Sequence, residues 1–262
     1  MLTVFILCAG DGDRWNDYLG VPKQLITFAG EKLIERSARL VTERRQGGRV
    51  YCVTRDPRIS LSQYDTLLVS RTDSLTETIL ATCRYWSGRN VFLLGDVFYS
   101  ECAISLILEC QRGLAFFGRP WPSAFAKCGH GEMFGLTFAA RANDRVRNLL
   151  ARGLSNKPTG AQVNLWNLYQ LAGGLPLGSS QYLSQLLVPI DDYTNDIDTP
   201  IDYLRRNWLY EKISSGKERE ASHTLRFLAL LPKHYLGILR WLVSNGHAKL
   251  CAPRSAPHTA HS

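Results

Sequence analysis

The chain has seven cysteines, an odd number, and no two of them stand two residues apart. Cys8, Cys52, Cys83, Cys102, Cys110, Cys128 and Cys251 are scattered, several within apolar runs. This pattern excludes a zinc framework of paired thiolates, argues against a disulfide scaffold, and fits a reducing compartment. The N-terminus lacks a basic region followed by a long apolar stretch, so no secretory leader is expected. No apolar run approaches the roughly 20 residues that span a bilayer. A cytoplasmic location is therefore the expectation. Internal repeats and low-complexity tracts are missing as well. Charged residues make up only 21% of the 262 positions against 45% hydrophobic, which rules out global disorder and supplies one large core with room for a small appendage.

An excess of acid is absent too. Lys and Arg number 31 against 23 acids, a formal charge of +8. The excess is uneven: from Glu211 to Ser262 there are eight Lys/Arg and three Asp/Glu, so this stretch carries +5 of the total. The first 210 residues are near balance, which argues against a nucleic-acid-binding face on the main domain.

What is present is alternation. "LTVFIL", "RVYCVT", "TLLVS", "NVFLLGD", "GLAFFG", "MFGLTFAA" and "LLVPI" read as strands. "KLIERSARLVTERR", "SLTETILATCRYW", "ECAISLILECQR", "DRVRNLLARG", "GAQVNLWNLYQLAG" and "DIDTPIDYLRRNWLYEKI" read as helices, the last entered by an acidic turn. Ser74 with Glu77 three residues on has capping-box spacing. Strands alternating with helices predict an α/β fold: a mostly parallel sheet covered on both faces. In such sheets ligands bind beyond the carboxyl ends of strands. Three stretches fall there: Gly10–Arg14, Gly95–Asp96 and Asp196–Asp198.

In "LCAGDGDRW", Gly10 and Gly12 let backbone amides converge on an anion, and Arg14 adds a forked cation suited to phosphate oxygens. "PKQL" then places Lys23 within reach of the same pocket. The loop has neither the GK[ST] ending of the nucleoside-triphosphatase motif nor the three-glycine dinucleotide fingerprint. A tight strand-to-helix turn with surface charges is the bland alternative. Asp96, Asp196 and Asp198 could likewise be helix caps or turn residues, and Ser74 and Thr76 could serve only their own helix.

Taken in order, "ILCAGDGDRW", "VPKQL" and "AGEKLIERSARL" resemble the opening signature of the nucleotidyltransferases that make nucleotide sugars and related activated alcohols. The departures are Cys8, where alanine is commoner, and Asp13, where a small hydroxyl residue is common. "VFLLGDVFYS" resembles the strand that ends in the family's metal-binding aspartate, and "DIDTPIDYL" resembles its late acidic segment. The resemblance covers roughly residues 1–210. It implies a Rossmann-like three-layer α/β/α fold with a mostly parallel mixed sheet, the GT-A-like nucleotidyltransferase architecture. It also implies Mg²⁺ on Asp96 and Asp198, and a nucleotide on Leu7, Cys8, Ala9, Gly10, Asp11, Gly12, Asp13, Arg14 and Lys23. Arg14 and Lys23 would act on the phosphates, and Ser74 and Thr76 would lie near the base. Lys127 and Glu132, in "KCGHGEMFGL", are candidates for acceptor contact. The implied reaction joins a nucleoside triphosphate to a phosphorylated acceptor and releases pyrophosphate. Two rivals keep the scaffold: a GT-A-type glycosyltransferase reading "DID" as its metal pair, and a degenerate nucleotide-binding protein in which Asp13 spoils the phosphate loop.

The expected organisation is a catalytic domain over 1–213 and a basic extension over 214–262. In the extension "SSGKEREAS" reads as a linker, "HTLRFLALL" and "KHYLGILRWLVSNG" as short basic helices, and "APRSAPHTAHS" as a frayed end. The extension could be a packed helical addition, a dimer contact or a membrane-surface element.

Overall fold

A computed structural model describes residues 1–10, 12, 14–44, 47–70, 72–120, 131–155 and 163–214. The basic extension, with its proposed partners, lies outside the described residues, as do Asp11, Asp13 and Lys127. Among the described residues, no helix is long and apolar enough to cross a membrane. The chain forms two compact units, one of Met1–Asp11 with Ile34–Asp196 and one of Gly12–Leu33 with Ile197–Ser262.

The first unit is built on a seven-stranded sheet. Its strands are β1 (Leu2–Leu7), β4 (Arg49–Thr54), β5 (Asp65–Leu68), β6 (Arg89–Leu94), β8 (Leu114–Arg119), β9 (Glu132–Ala139) and β10 (Leu187–Pro189). They lie in the order β10-β8-β9-β6-β1-β4-β5, and only β9 runs antiparallel to its neighbours. This is the mixed, mostly parallel sheet expected. Val4, Phe5 and Ile6 of central β1 are fully buried, as a strand covered on both faces requires.

On one face pack α2 (Leu75–Ala81), α4 (Asn143–Ser155) and α5 (Leu165–Ala172). Ile79, Leu150, Leu168 and Tyr169 from these helices share a core with Phe5, Phe92, Phe116 and Phe138 of the strands. The other face carries α3 (Glu101–Glu109), whose Ile107 reaches Gly135 on β9. Arg44 at the end of α1 (Leu33–Arg44) ties that helix to α3 through Glu101 and Ser105. Beside the main sheet, β7 (Val97–Phe98) pairs antiparallel with β11 (Asn195–Asp196), a ribbon the hydropathy pattern did not announce. The helix expected to run through Trp86 stops at Ala81 and continues as a tight turn over Cys83–Tyr85. The Thr82 hydroxyl donates to Ile79 O (2.7 Å) and accepts from Trp86 Nε1 (2.9 Å), which bends the chain there.

In the second unit, a hairpin of β2 (Thr27–Phe28) and β3 (Glu31–Lys32) turns through Ala29 and Gly30, both at positive φ. It sits with α6 (Pro200–Ser214), whose Tyr203 donates to Thr27 O (3.2 Å). Trp15, Phe28 and Tyr203 meet edge to face, and Trp15 stands edge-on to Tyr18 as well.

Candidate active site

Parallel pairing of β1 with β6 puts Leu7 opposite Leu94, so both strands end at the same edge of the sheet. The Gly95 amide donates to Leu7 O at 2.9 Å, and the Cys8 amide to Val53 O at 2.7 Å. Gly95 must be a glycine: an added Cβ would collide with Cys8 Sγ and come within 2.9 Å of Leu7 O. Asp196, on β11, pairs opposite Val97, the residue after Asp96. Within this unit the start of the glycine loop, the Gly95–Asp96 turn and Asp196 therefore come together. Cys8 and Ala9 are buried beneath the loop, while Gly10 is exposed and Asp96 half-buried.

Asp96 does not cap the helix that follows it. That task belongs to Ser100, whose Oγ accepts from Ala103 N at 2.9 Å. Asp198 is not a cap either. Thr199 and Asp202 form a reciprocal box at the start of α6: Thr199 N donates to Asp202 Oδ2 (2.9 Å) and Asp202 N to Thr199 Oγ1 (3.3 Å). Pro200 opens the helix, where its missing N–H costs nothing. Asp202 Oδ2 also accepts from Asp198 N (3.2 Å), so the backbone carrying Asp198 is held in place.

The Asp198 carboxylate is left for cations. Arg14 Nη1 lies 2.7 Å from Oδ2, and Lys23 Nζ lies 3.5 Å from Oδ1. Lys23 and Asp198 side chains are only 10% and 12% exposed, whereas that of Arg14 is 49% exposed. Two cations thus share one carboxylate, and cations gathered in this way suit a polyanion. Trp15 and Tyr18 stiffen the stretch between Arg14 and Lys23. Trp15 Nε1 donates to Val21 O (2.7 Å), and Asn16, Asp17 and Leu19 hold positive φ. Burial, and then the neighbouring Tyr203, push the Tyr18 phenol up to about 12.

Other expected residues take structural places. Thr76 is fully buried and its hydroxyl donates to Val163 O at 3.3 Å, so it has no face for a base. Ser74 caps α2, its Oγ accepting from Glu77 N at 3.3 Å. Glu132 is committed to the fully buried guanidinium of Arg119, which also donates to Asp192 O (2.7 Å) and Thr194 O. Arg119 was not anticipated from sequence. A cation ending the apolar run "LAFFGR" was the only signal, and its acid lay 13 residues ahead.

Among the described residues, no cluster of three or more His, Cys, Asp or Glu side chains that could hold a metal is present. Asp96 and Asp198 offer hard carboxylate oxygens, a donor type that fits Mg²⁺, which takes one or two carboxylates and fills its remaining positions with water and phosphate oxygens.

No family model matches the chain, and no curated protein matches it. Solved structures do. A Bacillus anthracis protein assigned as a glucose-1-phosphate thymidylyltransferase aligns with TM-score 0.55 and 12% identity, over 80% of this chain and 95% of that one. The inositol-1-phosphate CTP transferase of T. maritima aligns with TM-score 0.55 and 14% identity, over 82% and 96%. The CTP:phosphocholine cytidylyltransferase of Streptococcus pneumoniae aligns with TM-score 0.54 and 11% identity, over 79% and 98%. At such identities the likeness is one of fold: this chain has the fold of these nucleotidyltransferases.

Proposed function

We propose that the chain is a metal-dependent nucleotidyltransferase that joins a nucleoside triphosphate to a phosphorylated alcohol and releases pyrophosphate. The observation that carries this reading is the Arg14–Lys23–Asp198 cluster. It joins the cations of the opening signature to the acid of the late one across 175 residues of sequence. A turn or a cap would not need that pairing.

The chemistry is attack of one phosphate oxygen on another phosphorus, with anions on both sides. Positioning and charge neutralisation supply the rate, and no protein nucleophile is required. The backbone amides of the glycine loop, beginning at exposed Gly10, receive phosphate oxygens. Arg14, half in solvent, takes the outer phosphates, and Lys23, enclosed, takes the α-phosphate and the charge that develops there. Phosphate oxygens compete with Asp198 for these two cations, and Asp96 and Asp198 are the residues that would hold Mg²⁺. The ion, when bound, neutralises phosphate oxygens and aligns donor with acceptor. Contacts to the base fall to Ser74 and the backbone beside it, since Thr76 is spent in the core. Contacts to the acceptor fall to groups around Glu132 other than its paired carboxylate.

The structural neighbours suggest the first panel: dTTP and CTP, with ATP and GTP, against glucose 1-phosphate, inositol 1-phosphate and phosphocholine. Pyrophosphate release with Mg²⁺ in one or more pairs is the expected outcome. Lys23→Ala lowers its rate by about 10²-fold or more, as loss of one preorganised donor does, and Asp96→Asn removes the Mg²⁺-dependent reaction. Release of a nucleoside diphosphate from a nucleotide sugar would instead establish a glycosyltransferase. Nucleotide binding without turnover would establish a degenerate binding protein.

A further inference from the structure

Asp96 sits in a loop whose two ends are tied together by one phenol. The ladder between β6 and β9 runs as far as Leu93 opposite Gly135. At the next position the strands part, and the Tyr99 hydroxyl is inserted between them. It accepts from Leu94 N at 2.8 Å and donates to Phe134 O at 2.6 Å. Tyr99 is fully buried, so water cannot replace either bond. The span from Leu94 to Tyr99 is thereby closed on itself, with Gly95, Asp96, Val97 and Phe98 as the enclosed residues.

The surrounding contacts fix the backbone on both sides of Asp96. Gly95 donates to Leu7 O, and Val97 and Phe98 form the ribbon with β11. Arg36 of α1, buried in the same unit, donates from Nη1 to Tyr99 O at 2.5 Å, and its guanidinium lies 4.2 Å above the Phe98 ring. Ser100 N donates to Thr194 Oγ1 at 2.9 Å, and Ser100 Oγ bonds Asp192. A phenylalanine would fill the Tyr99 cavity equally well. What the hydroxyl adds is a partner for two backbone groups at the base of the Asp96 turn.

We propose that Tyr99, with Arg36 behind it, is a positioning residue that presents the Asp96 carboxylate to the divalent ion. This rests on the reading of Asp96 as a metal ligand. Groups that orient a ligand typically change metal affinity by about 10- to 100-fold when removed.

The test is calorimetric titration of Mn²⁺, as a stand-in for Mg²⁺, into the full chain and its variants. The wild type is expected to bind Mn²⁺ in a manner that Asp96→Asn abolishes. Tyr99→Phe is expected to weaken binding about tenfold, and Arg36→Lys several-fold. Both should raise the Mg²⁺ concentration for half-maximal pyrophosphate release while leaving the rate at saturating Mg²⁺ within about threefold of wild type. Thr137→Val serves as the control. It removes a buried bond to Asn90 O (2.9 Å) on the same strand pair, near the start of β6, and should lower thermal stability while leaving Mn²⁺ affinity unchanged. Wild-type affinity in Tyr99→Phe and Arg36→Lys overturns this inference alone, as does equal weakening in Thr137→Val. A wild type whose Mn²⁺ binding ignores Asp96→Asn overturns the metal assignment along with it.

Discussion

Replacing Asp198 with asparagine keeps shape and an acceptor oxygen but removes a negative charge that pairs with both Arg14 and Lys23. The Lys23 pair is nearly enclosed, with side chains 10% and 12% exposed, and its distance of 3.5 Å makes it a long contact. A bond to a charged partner in such a setting contributes about 1.5–3 kcal/mol. The Arg14 contact is shorter at 2.7 Å, but Arg14 is half in solvent, and pairs of that kind contribute less than about 1 kcal/mol. Asparagine retains part of the hydrogen bonding, so the expected loss is about 2–3 kcal/mol. At this chain length about 2–4 °C of melting temperature goes with each kcal/mol, so Asp198→Asn should melt about 4–12 °C below wild type in the absence of ligand. Arg14→Ala should cost less, because its charge is already half in solvent. A second arm uses inorganic tripolyphosphate without metal. The asparagine variant carries one negative charge fewer beside these cations, so tripolyphosphate should bind it more tightly and raise its melting temperature more than that of wild type; a hundredfold excess over its own dissociation constant stabilises a protein by about 2.7 kcal/mol in all. Differential scanning fluorimetry across a tripolyphosphate series reads both effects. A variant that melts within about 1 °C of wild type and gains no more from tripolyphosphate than wild type does would refute the claim that Asp198 neutralises these cations.

Gly95→Ala should destabilise strongly, because its Cβ meets Cys8 Sγ and Leu7 O; adding Cys8→Ala should recover part of the loss and leave the carbonyl clash, a non-additivity that a double-mutant cycle in urea measures. Tyr18 keeps its proton more tightly in the folded chain than in the unfolded one, so its stabilising contribution is intact below pH 10 and is lost as pH rises through about 12; Tyr18→Phe should therefore show a shallower fall of urea midpoint over that interval than wild type does.

How much of this was legible beforehand depended on the range of the signal. The strand and helix patterns in "LTVFIL", "NVFLLGD" and "ECAISLILECQR" are local, and β1, β6 and α3 formed where those patterns placed them. Candidate ligands at strand ends were legible because parallel strands deliver their C-terminal loops to one edge. Cap assignments were legible only in part. Ser74 fits its box, but Asp96 and Asp198 each stood where a cap could stand, and the caps turned out to be Ser100 and Thr199. The burial of Thr76 was not legible because periodicity over a seven-residue helix does not separate its two faces well.

The order of chemistry-bearing segments, the alternation of strand and helix, and the net charge of each stretch were determined by the sequence alone, since each depends on residues within a few positions of one another. The partner of each charged group was decided by the tertiary structure. Lys23 meets an acid 175 residues away, Arg119 closes on Glu132 across a strand pair, and the Tyr99 hydroxyl completes a ladder between strands that neither its own periodicity nor its neighbours' could identify. A buried polar group must find a partner or raise the free energy of the fold, but strand order and side-chain reach choose that partner, and these exist only once the sheet has assembled.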